Sequence, residues 1–450
     1  MKITMPRPVL WAIQRLEERG YQAYAVGGCV RDALLGRTPK DWDIATSASP
    51  VEMKRVFSGE KLLETGIQHG TLTLLRENMP LEITTFRIEG NYSDRRHPDS
   101  VAFTDSLKED LRRRDFTVNA MACHPDLGLF DDWGGLEDLK NGRLRCVGEA
   151  EKRFQEDALR ILRGLRFASE LGFSIEEETK KAVHCQKDSL RYVAAERLAA
   201  ELDRLLIGKN AVSVLREYVD VIGVFLPELL PMVGFNQKNP HHDRDVWEHT
   251  LGAMEESPMD LTVRLAVLFH DVGKPSTFTM DENGIGHFYG HAKRGAEMTA
   301  PALERLRYDK ATKELVVKLV EEHNLFLEPN SRAVKRAMNR YGERFPLLLQ
   351  IKRADIFGQS PAYFQENIVW LERIEALTTE IRRRGECFQQ KDLRINGNDL
   401  LKIGIPKGKA IGESLQWLLN QVIEDRVPNS REELLEEARA HQCEKTEGGK

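Results

Sequence analysis

Asp41 and Asp43 stand two residues apart in the short run Lys40-Asp41-Trp42-Asp43-Ile44-Ala45-Thr46. Residues i and i+2 of a β-strand project from the same side, so this spacing puts both carboxylates on one face. Upstream, apolar Tyr24-Ala25-Val26 runs into Gly27-Gly28 and then into a helix-like stretch, Val30 to Leu35, that carries Arg31. A strand–turn–helix of this kind offers backbone N–H groups and a guanidinium to a polyphosphate. Paired carboxylates beside it suit a divalent cation that bridges phosphates. Either half alone is ordinary, since double glycines mark many turns and Asp-x-Asp occurs in solvated loops. Together they point to nucleotidyl transfer.

Those residues need a sheet beneath them. Residues 1–150 alternate helix-like and strand-like segments: Val9 to Arg19 has helical spacing and Tyr21 to Val26 is strand-like. Thr71 to Leu75 and Leu81 to Arg87 read as a strand pair turned at Glu77-Asn78-Met79-Pro80. Glu82 on the second of these is a candidate third carboxylate. Gly90 to Ser100 is polar and turn-rich and reads as a loop. Beyond about residue 150 the pattern is helical almost throughout. Two further segments carry charge in suggestive places. In Arg112-Arg113-Arg114-Asp115-Phe116-Thr117-Val118-Asn119, the bland reading is a charged element start; the functional one puts Arg114 and Asp115 on a triphosphate and ribose. In Glu156-Asp157-Ala158-Leu159-Arg160-Ile161-Leu162-Arg163-Gly164-Leu165-Arg166-Phe167, four polar residues recur every third position of a helix. That segment reads equally as a salt-bridged amphipathic helix or as one wall of a pocket.

In this order the segments resemble the bacterial class II tRNA nucleotidyltransferases, the CCA-adding group that includes bacterial poly(A) polymerases. GGCVRDALLG with KDWDIAT matches the catalytic motif, RRRDFTVNA the ribose-side motif and FDDWGGLEDL the hinge motif. EDALRILR matches the base-reading motif, and Ala195 to Leu202 the helical motif that follows. The resemblance covers roughly residues 22–205. It implies an α/β nucleotidyltransferase head with a polymerase-beta-like mixed sheet, then all-α neck, body and HD-type tail domains. The expected boundaries are 1–145 for the head, 146–210 for a neck with the base-reading motif and 211–240 for a body or connector. An HD domain at 241–365, a C-terminal helical region at 366–440 and a disordered tail at 441–450 complete the chain. Carried over by position, Gly28, Arg31 and Arg114 contact the incoming nucleotide, and Asp41 and Asp43 are catalytic and hold Mg²⁺. Asp157, Arg160, Arg163 and Arg166 line the nucleotide pocket.

These residue types suit the chemistry. Phosphoryl transfer needs positioning and charge neutralisation more than covalent help, and metal ions on Asp41 and Asp43 would activate an RNA 3′-hydroxyl and neutralise the leaving pyrophosphate. Cytosine and adenine both present an exocyclic amine donor beside a ring-nitrogen acceptor, whereas uracil and guanine present the reverse. A carboxylate at Asp157 accepts from the amine and a guanidinium at Arg160 donates to the ring nitrogen. UTP and GTP set like against like at both positions, and each unpaired buried polar group costs about 1–3 kcal/mol. The pair thus selects C and A without a nucleic-acid template, though it does not set the order C, C, A. In the family that order depends on the growing RNA end and on a loop that here resembles Asn91 to Phe103. Its presence favours full CCA addition or A-only addition over addition of two cytidines alone.

Histidine is distributed unevenly: seven of the 12 lie between His241 and His323. Trp247-Glu248-His249, Phe269-His270-Asp271, Gly290-His291, Glu322-His323 and Ala354-Asp355 resemble the HD metal-hydrolase superfamily. That resemblance implies His249, His270, Asp271 and Asp355 as ligands of a transition metal, with His291 and His323 available to a second. Imidazoles and carboxylates suit Mn²⁺, Ni²⁺ or Fe²⁺. The alternative is an HD fold kept only as an RNA-supporting tail.

The rest of the composition sets bounds. A chain of 450 residues exceeds one ordinary core. No apolar run approaches a membrane span, the N-terminus lacks the apolar core of a signal peptide, and six scattered cysteines form no CxxC pair. The expectation is a cytoplasmic protein with free thiols and no membrane partner. A formal net charge of −5 gives no global attraction to nucleic acid, so RNA must be met by local basic patches. The expected partners are the tRNA 3′ end and acceptor stem or elbow, CTP and ATP. The rival readings are an A-adding enzyme or poly(A) polymerase, and, in another class, an HD metal-dependent phosphohydrolase.

Overall fold

The computed structural model describes residues 3–67, 70–90, 100–239 and 243–447. The strand signal before the double glycine becomes β1 (Ala23–Val26), buried along its whole length. It pairs antiparallel with β2 (Trp42–Thr46), the strand of Asp43. The head continues with β3 (Lys61–Leu63), β4 (Thr71–Arg76), β5 (Met79–Thr85), β6 (Arg87–Glu89), β7 (Val101–Phe103), β8 (Ala122–His124) and β9 (Gly128–Phe130). A seven-stranded mixed sheet runs in the order β3-β4-β5-β2-β1-β8-β9. Only β2 and β5 are parallel within it, in a register that sets Asp43 opposite Glu82. The helix Arg7–Glu17 buries Val9, Ala12, Ile13 and Leu16, the apolar face its spacing predicted.

Two boundaries differ from the sequence reading. The β4–β5 turn is Glu77-Asn78 alone, both at positive φ (49° and 62°), so Met79 and Pro80 join the strand. A two-residue hairpin needs left-handed backbone at both central positions, and asparagine adopts it readily. The expected loop through Phe103 is shorter, because Val101–Phe103 pairs with Arg87–Glu89 and the Gly90 N–H donates to the Ser100 carbonyl. Its central residues, 91–99, lie outside those described.

Helices take over after the sheet, with one break where a continuous helix was expected. Ala150–Glu156 ends at Asp157, whose backbone is extended (φ −140°, ψ 105°), and Leu159–Leu171 begins beyond it. Asp157 is therefore at a junction, and only Arg160, Arg163 and Arg166 share the helix. Leu159–Leu171 packs against Ala195–Leu206, and Leu162, Leu165, Leu202 and Leu205 are fully buried.

The chain divides into two compact units: Met1–Leu230 with Arg305–Arg307, and Pro231–Glu304 with Tyr308–Lys450. The second unit is built from helices including Val246–Glu256, Leu261–Phe269, His291–Arg305, Lys310–Glu322 and Arg344–Gly358. Its last part has its own apolar cluster of Ile395, Leu400, Leu418, Leu419, Ile423 and Leu434. The final helix, Arg431–Glu447, runs through most of the segment expected to be disordered. Leu434 and Ala438 anchor it, and His441 stacks on Trp417 with ring centroids 3.8 Å apart, which carries the helix past residue 441. Among the described residues no helix is long and apolar enough to cross a membrane.

Candidate functional sites

Gly27 closes β1 at φ +79°, and a Cβ there would come within 2.6 Å of Arg114 Nη1. Both the backbone conformation and the approach of the guanidinium exclude a side chain. The turn opens onto a cavity of about 520 Å³ lined by Gly28, Arg31, Asp41, Asp43 and Arg114 on the sheet side. Asp157, Arg160, Arg163 and Arg166 line the helical side of the same cavity. The nine residues that the family resemblance assigned to the head site thus converge. Arg113, Asp115, Asn119, Phe167, Arg197 and Arg204 also line it.

Burial, and then the like charges of Asp41 and Glu82, push the Asp43 carboxyl up to about 6, against the opposing pull of Arg114. Carboxylates that crowd one another in this way fit a divalent cation, which removes the repulsion and suits hard oxygen donors. Glu82 faces Asp43 across the strand pair but is exposed and does not line the cavity, so its part is electrostatic. Arg114 supplies the opposite charge. Its Nε is buried without a hydrogen-bond partner and its Nη2 is 3.6 Å from Asp110. A guanidinium held beside a glycine turn and incompletely satisfied is suited to receive phosphate oxygens. Arg31 is positioned by Asn119 Oδ1 (2.6 Å) and Asp32 (2.9 Å).

On the helical wall, Asp157 Oδ1 accepts the Leu159 N–H (3.0 Å), while Oδ2 accepts from Arg197 Nη2 (3.0 Å). Arg160 Nη2 donates to the Arg113 carbonyl (3.0 Å), and Nη1 donates to Glu156 (2.6 Å) and the Arg153 carbonyl (3.3 Å). Arg163 is held by two bonds to Asp115 Oδ2, at 2.9 and 2.7 Å. Arg166 is held 2.8 Å from Glu201, and its guanidinium lies 3.9 Å from the Phe167 ring centroid. Asp115 also accepts from the Phe116 N–H and from Asn119. Burial alone would raise its carboxyl pKa, but Arg163 and Asn119 outweigh burial and hold it well below the usual carboxylate range. Asp115 supports Arg163 and also lines the cavity, on the side where the sequence set a ribose contact. Arg197 escaped the sequence reading: its motif was visible at Ala195 to Leu202, but only the folded packing brings its guanidinium to Asp157.

Comparison with known proteins assigns the head to a class. Residues 23–145 match the poly A polymerase head domain family, 172–231 the RNA and SrmB-binding site of polymerase A, and 280–438 tRNA nucleotidyltransferase domain 2. The chain is 33% identical over 444 residues to the CCA-adding enzyme of Latilactobacillus sakei, covering 98% of this chain and 100% of that one. With the CCA-adding enzyme of Leuconostoc mesenteroides identity is 50% over 215 residues, 47% of this chain and 53% of that relative, so the match spans about half of its length. The crystal structure of the Bacillus stearothermophilus CCA-adding enzyme in complex with CTP superposes with a TM-score of 0.72 at 29% identity, covering 99% of this chain and 100% of that one. The chain belongs to the CCA-adding enzyme family.

The second unit holds a different cluster. Ligand atoms of His249, His270 and Asp355 lie within 4.8 Å of one another, and those of Asp271, His291 and His323 form a second such group. Asp271 stands between the two groups and reaches both pairs of rings, including the His249 and His270 pair with which the sequence grouping had it. Its Oδ2 stands 3.3 Å from Nε2 of both His249 and His270, and its Oδ1 3.5 Å from His291. Every Nδ1 faces a backbone carbonyl: His249 to Gly358, His270 to Val267, His291 to Phe288 and His323 to Val320. A carbonyl only accepts, so each Nδ1 carries a proton and Nε2 is the nitrogen turned toward the cluster. Those Nε2 atoms meet in pairs at 3.3 Å, His249 with His270 and His291 with His323. Burial opposes protonation of His249, but hydrogen bonds to Asp271 and Asp355 raise it to about 9. At His323 burial, followed by the neighbouring His270, outweighs the opposing pull of Asp271 and lowers it to about 3.

Proposed function

We propose that this chain adds the sequence CCA to the 3′ end of tRNA from CTP and ATP without a nucleic-acid template, releasing pyrophosphate. The observation that supports it most directly is the single cavity joining Asp41, Asp43 and Arg114 to Asp157 and Arg160. Phosphate chemistry and base selection then act on one bound nucleotide. Gly28 lets the backbone approach the triphosphate, and Arg114 and Arg31 bind and orient it. Asp41 and Asp43 would hold Mg²⁺, which supplies charge neutralisation and activation of the attacking hydroxyl. Asp157 accepts from the base amine and Arg160 donates to the ring nitrogen, while Arg163 and Arg166, fixed by Asp115 and Glu201, form the wall. The experiment is incorporation on tRNAs truncated before the CCA, with each nucleotide alone and in pairs. Two cytidines followed by one adenosine is the expected product; adenosine added only after a supplied CC, or a run of adenosines, would move the reading to the A-adding or poly(A) alternatives.

A second reading concerns the second unit, where paired Nε2 atoms favour bound cations over an inert fold. We infer that His249, His270 and Asp355 hold one transition metal and Asp271, His291 and His323 another, in a centre of HD type suited to phosphoester hydrolysis. Elemental analysis of purified protein tests it: stoichiometric metal, lost in His270→Ala, is expected, and metal-free protein after supplementation would leave this unit as scaffold. Activity in the aqueous cytoplasm is the setting both readings require.

A further inference from the structure

The base-reading arginine is held from outside its own helix. Arg160 Nη2 donates to the Arg113 carbonyl at 3.0 Å. The Arg113 side chain is fixed in turn by Asp110, through Nε at 3.0 Å and Nη2 at 2.9 Å, and by Glu89, through Nη1 at 3.0 Å. Both carboxylates are buried: their side chains retain 1% exposure at Asp110 and 7% at Glu89. Glu89 stands on β6, outside the seven-stranded sheet, and also holds Arg87 at 2.7 Å. A cavity of about 220 Å³ is lined by Glu89, Arg113, Arg153 and Glu156. The other arm of Arg160 reaches this same group, since Nη1 donates to Glu156, which Arg153 also holds.

Consecutive residues therefore divide the labour. Arg114 turns its guanidinium toward the Gly27 turn and the phosphates. Arg113 turns its own away, toward Glu89, and leaves its carbonyl for Arg160. We propose that Glu89, through Arg113, is a positioning residue for base selection: it fixes the main-chain acceptor that aims the Arg160 guanidinium at the ring nitrogen. Glu89 touches no nucleotide in this account. It acts by the placement of a donor, and hydrogen-bond discrimination depends steeply on such placement. The inference rests on the assignment of Arg160 to base reading.

The test is the ratio of CTP to UTP kcat/KM on a tRNA ending just before its CCA, measured for Glu89→Gln and for Arg160→Ala, with thermal unfolding of each. Glutamine keeps the shape of Glu89 and removes its charge. The ratio is expected to fall about tenfold in Glu89→Gln and at least as far in Arg160→Ala. A purely structural Glu89 lowers the unfolding temperature and slows both nucleotides alike, leaving the ratio at its parental value; that result overturns the proposal. If the ratio is parental in Arg160→Ala as well, the base-reading assignment itself has failed. Should Glu89→Gln not accumulate as folded protein, Glu89→Asp, which retains the charge one methylene short, is measured in its place against the same two outcomes.

Discussion

The head cavity and the histidine cluster are both dense in charge, yet they are built in opposite senses. The head cavity is open and lined by eight arginines against four aspartates. Its guanidiniums are aimed by partners such as Asp115, Glu201 and Asn119, so the site is positive, rigid and shaped for an anion. The histidine cluster is buried, with His249, His270 and His323 almost without exposure. Its rings are aimed by backbone carbonyls and its Nε2 atoms converge, which suits cations. The lesson is that the groups behind the reacting side chains tell the two kinds of site apart. Carboxylates behind arginines prepare for phosphate, and carbonyls behind imidazoles prepare for metal.

The largest effect expected from breaking this contrast is on the head. Asp41→Ala or Asp43→Ala should lower nucleotide incorporation by about a thousandfold or more, since charge neutralisation at the phosphates carries much of the rate. tRNA affinity in a mobility-shift assay should stay within a few-fold of the parent. Incorporation within tenfold of the parent in both variants would remove the metal assignment.

Next comes selectivity. Asp157→Ala deletes the acceptor for the base amine, and the CTP to UTP ratio should narrow by about ten- to a hundredfold, the equivalent of about 1–3 kcal/mol. A parental ratio with measurable activity would show that the protein does not read the base edge through this carboxylate.

A stability measurement separates the supporting groups from the reading ones. Asp115→Asn leaves Arg163 with only the more distant Glu201, at 3.7 Å, as an ion-pair partner and should destabilise the first unit by about 1–3 kcal/mol in urea unfolding at pH 7. Because the native carboxyl titrates below its unfolded value, the stabilisation is complete above about pH 4 and is lost as pH falls toward the native pKa. The gap between parent and variant should therefore close on acidification. A gap that widened in acid would contradict the pairing.

The smallest effect sharpens the comparison from the other side. His270→Ala should release metal from the second unit while changing CCA addition by less than about twofold, because the head cavity contains no residue of that cluster. A parallel loss of incorporation would mean that the two sites are coupled.

The sequence by itself determined the parts whose chemistry is local. Asp-x-Asp on a strand, a glycine pair that only a tight turn accepts, and arginines every third residue on a helix are short-range patterns fixed by backbone periodicity. Together with the family resemblance they named nine of the residues that line the head cavity. The resemblance to the HD superfamily likewise marked the histidines, since a ligand type can be read without its partners. Tertiary structure alone decided the partnerships. Arg197 reaches Asp157, Glu201 reaches Arg166 and Glu89 reaches Arg113 only because helices and strands distant in sequence pack together. It also decided that Asp157 sits at a break between helices, that Asp115 holds Arg163, and that Asp271 stands between the two histidine pairs. Hydrogen-bond pairing is satisfied over a few ångströms, and no periodicity in the chain encodes which distant groups will come that close.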